Sequence, residues 1–352
     1  MPVDPSVSAQ AAGAPPPIPP APWFDDLERG AVLGDAPAIT LTAGLAAAHQ
    51  AILGDRLRLA LDATLAARVT GLDAPLAHPA LVCDIAIGQS TGVTQRVRAN
   101  LFYRGLVLLR PVAIGDTLRT TTTIEALREN RRREGRPPTG LAVLHMVTVD
   151  QHDRTVLDFR RCAMLPLRPG AAPTGHADDV DAVPDALDGE ALVRAVDGWD
   201  LAAFRTASPH GRHADGLAVG DRWQVVGGDV VSSAPELARL SLNVAVVHHD
   251  AREAGGRRLV YGGHTIGIAA AQLTRALPNL VTIVGWRRCD HLAPVHEGDT
   301  LRSAVEVTAI DPLEAGGALV GLRVDVRADG GGDGTDDDGT PVLAWELIGV
   351  MA

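Results

Sequence analysis

One segment written twice constrains this chain more than any other feature. Pro-Val-Ala-Ile-Gly-Asp-Thr-Leu-Arg at 111–119 returns as Pro-Val-His-Glu-Gly-Asp-Thr-Leu-Arg at 294–302, 183 positions later, with seven of nine residues identical. Strand-like runs follow each copy at 120–126 and 303–309. A second run carries Val143, Val147 and Val149, or Val320, Leu322, Val324 and Val326, and a third closes each half at 156–165 and 342–350. The openings also agree: Leu27 to Gly30 and then Ile39 to Thr42 parallel Leu217 to Gly220 and then Asp229 to Ser232. Ala- and Leu-rich helical stretches lie between, at 43–53 and 80–90, and at 234–242 and 264–277. Matches in the same order at a near-constant offset mean a duplicated unit. Strand, helix, helix and then several strands predicts an α+β unit with an antiparallel meander, not alternating βαβ units.

Composition sets the boundaries. Residues 1–22 are rich in Ala and Pro with nothing periodic to bury, which predicts a disordered leader. Pro, Gly, Ala and Asp displace the strand pattern over 169–196, which predicts a linker between units at 23–168 and 197–352. The length of 352 residues suits two such units. No apolar run reaches the ~18 residues that span a bilayer, and the first residues lack a basic, then apolar, signal pattern. Three scattered cysteines, Cys83, Cys162 and Cys289, fit neither a disulfide framework nor a thiolate metal site, so a reducing cytoplasm is expected. The net charge of −11 disfavours nucleic acid as a partner. Much of the acidity falls at Asp178 to Asp188 and Asp333 to Asp338.

Chemistry concentrates in the second half, at Asn243 to Asp250 and Leu259 to Ile266. Gly262-Gly263 opening an apolar helix, and followed by His264, offers backbone N–H groups backed by the helix dipole, an arrangement that stabilises an oxyanion. Gly-Gly is equally the composition of a plain turn. His248 on the preceding loop has the side-chain type for proton transfer near neutral pH, although a loop histidine is also commonly structural. Asn243 can orient water or a carbonyl without carrying charge. A metal site from His248, His249, Asp250 and His264 lacks a metal-binding spacing, and no metal or cofactor is expected. Asp116 and Asp299, in Gly-Asp-Thr, read as turn residues.

On the paired Pro-Val-x-x-Gly-Asp-Thr-Leu segments and the Gly-Gly-His helix start, each half resembles the MaoC-like acyl dehydratases. That resemblance implies a tandem double hot-dog: two antiparallel sheets, each wrapping a central helix. The family hydratase motif Gly-Asp-x-Asn-Pro-x-His-x-Asp places its acid/base pair at the first Asp and the His. In the first half, residues 54–62 keep Asp55 but carry Ala60 in the histidine position. In the second, Asn243, His248 and Asp250 fall at the Asp, His and closing Asp. Within the family the pattern is most similar to the mesaconyl-CoA hydratases, also called β-methylmalyl-CoA dehydratases.

The resemblance implies a hydro-lyase acting on an enoyl-CoA, with (R)-specific hydration of simple acyl chains as the near alternative and a thioesterase or acyl-thioester-binding protein as the distant one. His248, Asn243 and Gly263 are then the candidate catalytic residues. Gly262, His264, Asp250, Tyr261, Arg257, Arg258, Arg287 and Arg288 are the candidate substrate contacts, the arginines for CoA phosphates or a substrate carboxylate. The first half, with Ala60 in place of the catalytic histidine, is expected to line the acyl channel, giving one site per chain, and a homodimer is an expectation from family architecture.

Overall fold

Twelve strands and eight helices follow the repeat, described in a computed structural model over residues 20–329 and 339–352. Residues 1–19 of the expected leader and 330–338 of the acidic stretch lie outside the described residues. The first half runs β1 (Val32–Leu33), β2 (Ile39–Thr40), α1 (Ala43–Leu53), α2 (Arg58–Leu61), α3 (Ala63–Thr70), α4 (Pro79–Gln89), β3 (Ala99–Leu108), β4 (Thr117–Glu129), β5 (Thr139–Val149) and β6 (Thr155–Pro166). After α5 (Gly189–Arg194) and α6 (Leu201–Ala207), the second half repeats it as β7 (Arg222–Gln224), β8 (Asp229–Val230), α7 (Ala234–Leu240), α8 (Gly262–Ala276), β9 (Leu280–His291), β10 (Thr300–Pro312), β11 (Ala318–Asp329) and β12 (Thr340–Met351).

The long strands pair antiparallel in the order β4-β5-β6-β3 and β9-β12-β11-β10. The two sheets expected from the duplication join edge to edge through β3 and β9, with Tyr103 opposite Cys289 and Leu106 opposite Trp286, so the chain has one continuous sheet. Fusing the edges satisfies two rows of backbone donors and acceptors that would otherwise lie open. The α+β double hot-dog follows from this arrangement, each half's sheet curling about its own helix.

Those two helices explain their own burial. In α4 every residue from Pro79 to Gln89 except Ala80 is buried, and apart from Asp84 and Gln89 its composition is apolar on all sides, as a helix enclosed by sheet requires. Pro79 opens it, where a missing N–H costs nothing, and His78 Nδ1 accepts the Ala80 N–H at 3.0 Å. In α8, residues 263–274 are all buried. The repeated Gly-Asp-Thr segments form matching turns. Gly115 and Gly298 take φ of 112° and 93°, and Asp116 and Asp299 each accept a backbone N–H three residues upstream, from Ala113 and His296, at 2.8 Å.

Residues 169–196 pack rather than dangle. The Glu129 N–H donates to His176 O and the Asp178 N–H to Leu127 O, while Val180, Ala191 and Leu192 are buried. Pro and Asp remove the strand pattern from this stretch, but its few apolar residues suffice to anchor it.

Candidate active site

The loop that carries His248 is built by both halves. Asn243 Oδ1 accepts the Ala245 N–H at 3.0 Å, and a short 3-10 turn, Val246–His248, follows. The first half reproduces this geometry: Asp55 Oδ1 accepts the Leu57 N–H at 2.7 Å, and the Ala60 N–H reaches Leu57 O as the His248 N–H reaches Ala245 O, each at 3.1 Å. Ala60 therefore stands where His248 stands. The first half holds the second-half loop in place: the Val244 N–H donates to Thr91 Oγ1 at 3.0 Å and the Val246 N–H to Gln95 O at 2.9 Å. A Cβ on Gly88 would overlap the Ser241 carbonyl, so only glycine lets α4 approach this closely. Leu242, next to Asn243, is held at φ 61°, a conformation unfavourable for a branched side chain.

His248 is 8% exposed and faces a cavity of about 320 Å³. Its Nδ1 hydrogen-bonds to the Leu259 carbonyl at 2.8 Å, so Nδ1 carries the proton and Nε2 keeps a free lone pair. Burial lowers its pKa to about 4, partly offset by the Leu259 bond, with His249 and Arg161 lowering it further. The imidazole is thus neutral at physiological pH and can accept a proton. His249 does not line the cavity; it holds the loop through the Asn243 carbonyl at 2.7 Å. Asn243 is buried in the wall, its amide nitrogen free to donate. An amide cannot hold a transferable proton, so the Asp55-type carboxyl is missing from this side.

Tyr261 packs edge-on against His248, with ring centroids 5.8 Å apart. Its hydroxyl donates to Asp84 Oδ1 at 3.0 Å, and the other Asp84 oxygen pairs with His49 Nε2 at 3.1 Å. Asp84 and His49 are buried first-half residues, so the first half positions the tyrosine that packs against His248.

Among the remaining expected contacts, Gly262 lines the cavity as the first residue of α8, where an N–H lacks an intrahelical partner. Gly263 does not line it, because Asp84 and the Tyr261 ring fill the space beside its Cα. The His264 N–H is taken by Tyr261 O at 2.9 Å, and its fully buried ring lies outside the cavity with its pKa lowered to about 4 by burial. Asp250 is exposed and closes a turn onto the Arg252 N–H. The four expected arginines are also elsewhere. Arg257 and Arg258 bind Asp299 and Glu297 of the repeated turn, Arg288 pairs with Asp290, and Arg287 faces solvent. Each has a nearby carboxylate or bulk water, and none lines the cavity.

What the sequence did not expose is the opposite wall. Thr91, Thr94, Asn100, Tyr103 and Arg161 of the first half face His248, with Arg98 exposed at the rim. His291 also lines the cavity, its ring against Gly262, where a Cβ would meet Nε2 at 2.6 Å. No spacing rule connects these residues to His248, since strand pairing and the approach of α4 to the second-half loop bring them together.

The repeat also creates an equivalent position on the other side. Leu76, Ala77, Pro79 and Val82 stand 183 positions before Leu259, Val260, Gly262 and Thr265, and Thr282 to Val284 correspond to Ala99 to Leu101. That cavity measures only about 30 Å³, because Ala195, Val196 and Trp199 of the segment joining the halves occupy it. The molecule keeps one open pocket of this pair and plugs the other.

Relatives agree with this architecture. No family model matches the chain. It is 30% identical to β-methylmalyl-CoA dehydratase from Chloroflexus aurantiacus, over 87% of each chain. It is 30% identical to mesaconyl-CoA hydratase from Cereibacter sphaeroides, over 85% of this chain and 86% of the other. Among solved structures, a conserved hypothetical protein from Mycobacterium tuberculosis with a double hotdog fold superposes with TM-score 0.86 at 51% identity, covering 94% of this chain and 99% of that one. A MaoC domain dehydratase from Chloroflexus aurantiacus superposes with TM-score 0.81 at 26% identity, over 97% and 99%. With its duplicated hot-dog fold and the identity it shares along most of its length, the chain belongs to the MaoC-like acyl dehydratase family.

Proposed function

We propose that this protein is a hydro-lyase that reversibly adds water across the double bond of an enoyl-CoA, with mesaconyl-CoA and β-methylmalyl-CoA as its pair. The observation that carries this reading is His248: a neutral imidazole in a buried cavity, its tautomer set by Leu259 so that Nε2 can take a proton. In hydration, Nε2 removes a proton from water as the water oxygen bonds to the β-carbon. The π electrons move toward the thioester carbonyl and the α-carbon then takes a proton; dehydration reverses these steps. Asn243 holds the water through its amide, and Gly262 replaces Gly263 as the N–H donor to the carbonyl oxygen. The names of the two curated relatives support the substrate pair.

The cytoplasm and a homodimer belong to the same proposal. Three buried free cysteines suit a reducing compartment, and no described helix is long and apolar enough to cross a membrane.

The test follows the ultraviolet absorbance of the conjugated enoyl thioester with mesaconyl-CoA and crotonyl-CoA. Loss of absorbance with mesaconyl-CoA, abolished in His248→Ala, is expected. Preference for crotonyl-CoA would transfer the assignment to simple acyl chains, and thiol release without hydration would make the protein a thioesterase.

A further inference from the structure

We propose that Arg161, assisted by Asn100, is the receptor for a free carboxylate at the far end of the acyl group. It belongs to the half that lacks the histidine. This rests on the reading that the cavity holds an acyl-CoA and adds the feature of the acyl group it selects.

Arg161 rises from β6 into the cavity and is 3% exposed. A guanidinium this deeply buried ordinarily has a carboxylate partner. Arg104, Arg128, Arg160 and Arg168 of the same half each have one. Arg161 has none among the described residues. One terminal nitrogen donates to Thr94 Oγ1 at 2.8 Å and to Ser90 O at 3.3 Å, the other reaches Asn100 Oδ1 at a long 3.4 Å, and Nε has no partner. The Asn100 amide nitrogen is likewise buried without a partner. The carbonyl of Ser90, at the negative end of α4, explains how the charge is tolerated in the free protein. It leaves donors uncommitted on a cation and an amide in the same cavity wall, and a carboxylate satisfies a guanidinium by two parallel bonds.

Strand register ties the charge to the open pocket. Arg161 lies opposite Tyr103, and at the equivalent place in the second half Leu347 lies opposite Trp286. The cation is present only where the cavity is open and absent where Trp199 fills it. A simple alkyl chain gives Arg161 no counter-charge.

The experiment compares calorimetric binding of succinyl-CoA and butyryl-CoA, which differ by a carboxylate in place of a methyl and cannot be hydrated. The intact protein is expected to bind succinyl-CoA at least about ten-fold more tightly. Arg161→Gln should erase that preference while leaving butyryl-CoA affinity within about three-fold, and Arg161→Lys should restore part of it. Equal affinities in the unaltered protein, no binding of either thioester, or a preference that survives in Arg161→Gln would overturn the proposal. The comparison in the unaltered protein decides even if the Gln variant does not fold. A clear succinyl-CoA preference without hydration of any enoyl-CoA would leave the carboxylate receptor standing and remove the hydratase reading; hydration with equal affinities would do the reverse.

Discussion

At His248 a single hydrogen bond and the surrounding burial divide the work. The Leu259 carbonyl fixes the proton on Nδ1, and desolvation keeps the ring uncharged. Replacing it by alanine is expected to lower kcat by about 10²- to 10⁴-fold with the fold intact by circular dichroism. A base works only unprotonated, so kcat/KM should be flat from neutral pH downward and decline only as pH falls through about 4. Asn243→Asp would place a negative charge on the same loop and favour the imidazolium. The acid limb of the pH profile should then move up from about 4, and an unmoved limb would show that the two side chains do not interact.

At the level of elements, the loop carrying Asn243 and His248 depends on a helix from the other half. Gly88→Ala forces a methyl into the Ser241 carbonyl, which α4 cannot avoid without withdrawing from the loop. A loss of about 1–3 kcal/mol in stability is expected by chemical denaturation, with a fall in kcat because Asn243 and His248 move with that loop. Trp199→Ala gives the opposite separation. Trp199 is 7% exposed in the plugged position, so truncation should cost about 3 kcal/mol or more in stability while leaving kcat unchanged below the unfolding transition. A matching fall in kcat would show that the plugged side communicates with the open one.

For the molecule as a whole, one open pocket and one plugged position predict one acyl-CoA bound per chain, measurable as calorimetric stoichiometry. Buried histidines also set its acid sensitivity. His248 and His264 titrate near 4 when folded and near 6.5 when exposed, so the unfolded chain takes up their protons first. Their contribution is fully present above about pH 6.5 and lost as pH falls toward 4, by up to ~3 kcal/mol each. Denaturant midpoints compared at neutral pH and near pH 4.5 should show the decline.

The duplication, the α+β order, the helices expected at 43–53 and 264–277 and the loop bearing Asn243 and His248 were legible in the sequence, because periodicity and turn chemistry are local. The Asp55 and Asn243 positions align through the motif of the family that each half resembles, and in the structure each side chain accepts an N–H two residues on. The cation could not. The four second-half arginines that stood as candidates, Arg257, Arg258, Arg287 and Arg288, are all engaged by carboxylates or solvent. Arg161 lies 87 positions before His248 and shares its cavity because strand pairing fuses the halves and the first half holds the loop that carries His248. Likewise, Pro and Asp made 169–196 read as a linker, while the Trp199 that plugs the second position lies just past its end. Sequence specifies what each segment can form by itself; which side chains share a cavity is a property of strand register and packing between segments distant along the chain, and only the tertiary structure decides it.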